Sequence, residues 1–131
     1  MQPEFSEDPA TVMEFQALRG AVGLTVFSEA ATALSLRNQL YGLWLRCDDD
    51  LVGMGRLIGD GGIFAQVTDI AVHPCLQRQG WGDQIVSRLM FWADANLPGD
   101  CYISLIAEPG AEKLYARHGF VMRTGMSRQR L

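Results

Sequence analysis

Apolar positions along the chain fall into blocks of helical spacing and blocks of strand-like spacing, separated by short polar punctuation. Residues Gln2 to Asp8 read as a lead-in or a short edge strand. Asp8-Pro9 then predicts a helix start, with Asp as N-cap and Pro at the first helical position. Val12, Phe15 and Leu18 follow at helical spacing, and Gly20 ends the run. Ser28 caps a second predicted helix, Glu29 to Leu40, whose apolar positions are Ala30, Ala33, Leu34 and Leu36. The period then changes. Tyr41 to Arg46 and Leu51 to Ile58 are strand-like and are joined by Cys47-Asp48-Asp49-Asp50. Gly59-Asp60-Gly61-Gly62 turns into a third strand, Ile63 to Val72, so the three runs predict an antiparallel meander. Gly80 to Asn96 is helical again, with Trp81, Ile85, Leu89, Trp92 and Ala93 on one face and Leu97-Pro98-Gly99 as the stop. Cys101 to Ala107 reads as a buried central strand, Pro109 to His118 as a short helix, and Phe120 to Arg123 and Ser127 to Arg130 as short final strands. The fold class is α/β (α+β), a mixed sheet with helices on its faces.

Composition narrows the picture without changing it. A chain of 131 residues, 48% hydrophobic and 20% charged, fits one globular domain over residues 1–131. Its net charge of −4 argues against a nucleic-acid or anionic-membrane binder. The charge is uneven, with nine acids and four bases in residues 1–66 against six and seven in residues 67–131. An anion site therefore belongs in the second half. No stretch approaches the roughly 20 apolar residues of a membrane span, and the start of the chain is polar and acidic, unlike a signal peptide. Cys47, Cys75 and Cys101 are widely spaced and odd in number, which implies no disulfide framework and points to the cytoplasm. The Asp48–Asp50 run reads as a solvent-facing turn, and His73 and His118 lack ligand spacing, so no metal site is expected.

The chemistry is concentrated in Val67 to Gln84, VTDIAVHPCLQRQGWGDQ. An apolar strand ends at His73-Pro74, and a loop containing Gly80 and Gly82 opens a long helix. Backbone N–H groups at a helix start lack intrahelical partners and sit at the positive end of the dipole, and glycines let a phosphate approach them closely. Arg78 adds a charged donor. Ile85 stands where a dinucleotide fingerprint has its third Gly, and the only Lys is Lys113, which excludes a Walker loop.

Gln77-Arg78-Gln79-Gly80-Trp81-Gly82 fits Q/R-x-x-G-x-G/A, and the chain here resembles the GNAT superfamily of acyl-CoA N-acyltransferases. The preceding Asp69-Ile70-Ala71-Val72-His73-Pro74 resembles the strand before that loop, and Ala111 to Phe120 resembles the family's A-x-x-L-Y-x-x-x-G-F segment. The likeness runs from about Leu51 to Val121 and is only topological before that. It implies a mixed, mostly antiparallel sheet flanked by helices, with a splayed central strand pair. It also implies that acetyl-CoA is the co-substrate, with its pyrophosphate on the loop amides of Gln77, Arg78, Gln79, Gly80, Trp81, Gly82 and Asp83. The pantetheine arm would run along Ile70, Ala71 and Val72, with the backbones of Ile70 and Val72 bonding it and the thioester carbonyl.

Tyr115 matches the family's general acid, a phenol able to protonate the departing thiolate. Gln66 stands where several relatives carry a catalytic Glu, and Asp69, the nearest acid, falls on the opposite face by strict strand alternation. The proton therefore has three open routes: a neutral amine, a base from the first two helices, or water. Glu108 replaces a cofactor-contacting Asn, and Trp81, unusual in the loop, reads as the first core-facing residue of its helix rather than a stacking surface. The resemblance implies an N-acetyltransferase acting by direct attack on a primary amine, with the acceptor site between Glu14 and Arg37. The acidic first half favours a small cationic acceptor. The alternatives are a non-catalytic acyl-CoA-binding module, which Gln66 favours, and a protein or peptide N-acetyltransferase. Pairing is frequent in the family, which leaves a homodimer open.

Overall fold

The computed structural model describes residues 2–130. Five strands form one sheet in chain order: β1 (Glu4–Ser6), β2 (Tyr41–Cys47), β3 (Asp50–Gly59), β4 (Phe64–Val72) and β5 (Tyr102–Ser104). The first four are joined antiparallel, and β5 lies parallel to β4. The helices are α1 (Val12–Ala21), α2 (Glu29–Asn38), α3 (Trp81–Asn96) and the short α4 (Glu112–Ala116). Alternation along the meander divides the apolar side chains between two faces. Trp44, Met54 and Ala71 pack with Phe15 and Leu18 of α1 and with Leu36 of α2, while Leu43, Leu57 and Val67 pack with Ile85, Leu89 and Ala93 of α3. The sheet is thus a wall between an α1–α2 layer and an α3 layer. No helix among the described residues is long and apolar enough to cross a membrane.

Local chemistry explains the element ends. Asp60 closes the β3–β4 turn by accepting at Oδ1 from the backbone N–H groups of Gly62, Ile63 and Phe64 at 2.7, 3.0 and 3.1 Å. Gly55 lets α3 lie flush on β3, because a Cβ there would sit 2.5 Å from Ile85 and 2.8 Å from Ile70.

Four expectations are corrected. Helix α1 is capped by Thr11, not Asp8, because Thr11 and Glu14 form a reciprocal capping box that satisfies two backbone donors. Strand β5 covers three residues rather than Cys101–Ala107, since its partner β4 holds it only from Phe64 to Gln66. Residues 120–130 carry no helix or strand, so the two final strands are not formed. Finally, β4 does not alternate strictly. Thr68 opposes Arg56 and Ala71 opposes Met54, so Asp69 and Ile70 together face Gly55 in a β-bulge. Asp69 lies at φ +58°, a left-handed conformation rare for a residue with a Cβ.

Candidate active site

The bulge and the gap beside it create an open edge. His73 N–H donates to the Val52 carbonyl at 2.7 Å, which fixes the phase of the β3–β4 ladder. Ala71 therefore turns its backbone toward β3, and Ile70 and Val72 turn theirs the other way, toward β5. The β4–β5 register ends at Gln66–Ser104, and β4 runs on to Val72 without a strand on that side. The splay implied by the family resemblance is present, since β4 continues six residues beyond its last pairing with β5. The Val72 carbonyl accepts from the Gln77 side chain at 3.0 Å.

The edge leads into a tight turn and the start of α3. A 3-10 turn, Pro74–Leu76, begins with His73 Nδ1 accepting from the Cys75 N–H. Arg78 at φ +65° and Gly80 at φ +87° then bend the chain into α3. Gly80 is the N-cap and has no side chain to cap the helix. The first amides of α3 thus face outward without a capping acceptor, and the space where a Gly80 Cβ would project is open. Arg78 and Gln79 are exposed beside them. Uncapped amides, an unshielded glycine and a free guanidinium match the needs of a pyrophosphate.

The remaining side chains of this turn look elsewhere. Trp81 is half-buried and meets the Phe5 ring edge-on at 5.9 Å. Asp83 bonds His118 at 2.9 Å and Arg117 at 3.3 Å, pinning α4 to the start of α3. Those partners, His118 foremost, hold the Asp83 carboxyl below its usual range.

Pinning α4 places Tyr115 in a partly buried position, edge-on to Phe120 at 6.2 Å. Burial, and then the nearby Glu108 carboxylate, push its phenol above the ordinary value of 10.0. The group therefore stays protonated at neutral pH and can donate. Glu108 itself is exposed. Gln66 pairs across β4–β5 with Ser104.

The α1–α2 face holds what strand alternation concealed. The bulge swings Asp69 into this layer, where Arg19 bonds its Oδ1 and Arg56 bonds its Oδ2 at 2.8 Å. All three side chains are buried, with exposures of 10%, 4% and 6% for Arg19, Asp69 and Arg56. Arg19 Nε also donates to the Thr25 carbonyl at 2.6 Å, and its guanidinium lies over Phe27 at 5.0 Å. Arg56 donates to the Ser35 carbonyl and hydroxyl and to Gln39 at 3.0–3.3 Å. With both oxygens ion-paired, Asp69 has no lone oxygen to act as a base. Toward the rim, a cleft of about 440 Å³ is walled by Glu14, Leu18, Asp50, Val52 and His73. Its walls also include Cys75 of the Pro74–Leu76 turn, which brings the cleft to the end of β4, and they do not include Tyr115 or Gly80.

Comparison with known proteins agrees with this geometry. The family model for the acetyltransferase (GNAT) domain matches residues 39–122. A solved "Probable Acetyltransferase" of unknown function from Staphylococcus aureus is 34% identical, superposes with a TM-score of 0.92, and matches over 98% of this chain and 100% of its own. A GNAT family acetyltransferase from Streptococcus pneumoniae is 26% identical with a TM-score of 0.75, over 98% and 97% of the two chains. The GCN5-related N-acetyltransferase 1, chloroplastic, of Arabidopsis thaliana is 29% identical over 110 residues, 82% of this chain. The chain spans about half (55%) the length of that curated relative. A parted strand pair opening onto an uncapped, glycine-led helix, in a segment that the family model covers from end to end, has one consistent reading: the chain belongs to the GNAT acetyltransferase family.

Proposed function

We propose that this chain is an N-acetyltransferase that moves the acetyl group of acetyl-CoA to a primary amine by direct attack, with a small cationic molecule as acceptor. The observation that carries the proposal is the open edge of β4 running into the uncapped start of α3. Amides from Gln77 to Asp83 and the Arg78 guanidinium hold the pyrophosphate. Ile70 and Val72 offer backbone groups to the pantetheine arm and thioester, and Ala71, turned toward β3, drops out of that set. A backbone N–H aimed at a developing oxyanion is worth about 3–4 kcal/mol. Tyr115 donates to the departing thiolate, and the desolvation that raises the phenol raises the thiolate as well.

Two observations support the acceptor class and the proton route. The cleft beside α1 carries the exposed carboxylate of Asp50 and that of Glu14, which Arg46 pairs from outside the lining, and neither Lys nor Arg is among the lining residues. Asp69 is doubly ion-paired and Gln66 is neutral, so the acceptor attacks as the free amine and its proton leaves to water. Log kcat/KM should then rise with pH at a slope near one, and level off at the acceptor's own pKa. A plateau well below the amine's pKa would reveal a protein base. Thiol release from acetyl-CoA over a panel of amines, phosphorylated sugars and peptides tests the whole reading. Turnover greatest with phosphorylated sugars or peptides would overturn the acceptor class. CoA binding without turnover on any acceptor would identify a non-catalytic module. No CoA-dependent thermal shift at all would remove the assignment. Cys75 and Cys101 carry free thiols, which supports the cytoplasm as the proposed compartment.

A further inference from the structure

One buried charged group has no part in this chemistry, yet it lies under the residue the chemistry needs. Asp69 occupies the left-handed position of the β4 bulge, and Ile70, immediately after it, turns its backbone to the open edge. Val67 and Ile70 face the same α3 layer although three residues apart, which an unbroken strand forbids. The direction of the Ile70 N–H is therefore a product of the bulge. The bulge is held by two guanidiniums from outside β4: Arg19 on α1 and Arg56 on β3. Arg19 reaches on to Thr25 and Phe27 in the α1–α2 connection, and Arg56 reaches on to Ser35 of α2 and to Gln39.

We infer that Asp69 is a positioning residue: its ion pairs with Arg19 and Arg56 set the bulge that aims the Ile70 N–H, and tie that aim to the α1–α2 layer. The inference rests on the acetyltransferase reading for its consequence in the reaction, but not for its consequence in the backbone. Asp69 touches no reacting atom. It acts through Ile70, so its loss should reduce the chemical step rather than the grip on CoA, whose pyrophosphate site lies at the Gly80 turn.

Asp69→Asn is the direct test, because Asn tolerates the left-handed conformation and nearly preserves the shape while removing the charge. In the ligand-free protein, the Ile70 amide signal should move and exchange faster with solvent. With acetyl-CoA and the preferred amine, kcat should fall about 100-fold, as for a displacement of about 1 Å at a reacting centre, while CoA affinity stays within about threefold. Arg19→Lys, which keeps the charge, should recover most of the kcat that Arg19→Gln loses; this pair carries the test if Asp69→Asn does not fold. An unmoved Ile70 signal, kcat near that of the wild type, or kcat and CoA affinity falling together would overturn the inference. Failure of the wild type to bind CoA would instead strike the functional proposal, and the ligand-free Ile70 signal would still decide the positioning role.

Discussion

The two sides of the sheet are built on opposite principles. Toward β5 and α4, the groups available to a ligand are mostly backbone: the edge of Ile70 and Val72 and the amides leading α3. Toward α1 and α2, the backbone is covered, and two buried guanidiniums, from α1 and β3, converge on one carboxylate of β4. A backbone site needs little more than permission from the sequence, in the form of glycines and a missing cap. A side-chain network needs particular residues at distant positions. The backbone side therefore tolerates many side chains along its length, while the side-chain network depends on Arg19, Arg56 and Asp69 together.

Tyr115 is the one side chain proposed at the reacting centre on the backbone side, and removing its hydroxyl is the sharpest challenge to the contrast. Tyr115→Phe should lower kcat by about 10²–10³-fold with CoA affinity retained, read by thiol release and calorimetry. Unchanged kcat would remove Tyr115 from the proposed chemistry and leave only backbone groups at the reacting centre. Next is Gly55→Ala, at the seam beneath both Ile70 and α3. Its Cβ would meet Ile85, Ile70 and Leu89 at 2.5–2.9 Å, and such overpacking should cost about 1–3 kcal/mol in urea unfolding.

Gly80→Ala has open space for its Cβ but must hold φ +87°. The strain, about 1–2 kcal/mol, should appear as roughly tenfold weaker CoA binding, because the loop relaxes instead of the fold. A large drop in melting temperature with affinity intact would contradict a backbone site. The smallest effect belongs to the side-chain half. Arg46 grips Glu14 at 2.7 and 3.1 Å and, with the Thr11 amide, lowers its pKa from 4.5 to about 2. A depressed carboxyl stabilises the fold above its unfolded pKa, and that contribution is lost as pH falls through the folded value. Arg46→Met should therefore cost less than about 1 kcal/mol at pH 7, since the pair is partly exposed, and the gap from wild type should close between pH 4.5 and 2. CoA binding at pH 7 should not change.

The same division explains what could be read without coordinates. The meander, the long helix and the Gln77–Gly82 turn follow from local pattern, and the structure places them within a residue or two. Thr11-Val12-Met13-Glu14 carries a capping-box pattern that decides where α1 begins, and Asp8-Pro9, a competing start signal three residues earlier, lies outside the helix. The apolar Cys101–Ala107 run reports burial but not pairing, so it could not foretell that β5 stops where β4 veers away. Asp69 was hidden most completely. Alternation assigns it to the wrong face, and only the bulge joins it to Arg19, which is 50 positions away.

That extra residue has a consequence for how the chain can change length. On the α1 side of the sheet, residues 22–28 between α1 and α2 run mostly over the surface, where an insertion can be absorbed locally. Strand β4 has its count set at one position. Deleting one residue between Thr68 and Ala71 would restore perfect alternation with both flanks on their present faces, Thr68 still opposite Arg56 and Ala71 opposite Met54, but it would remove the left-handed step that turns the Asp69 carboxylate inward. Adding or removing a residue elsewhere in β4 would turn one flank over against a finished core.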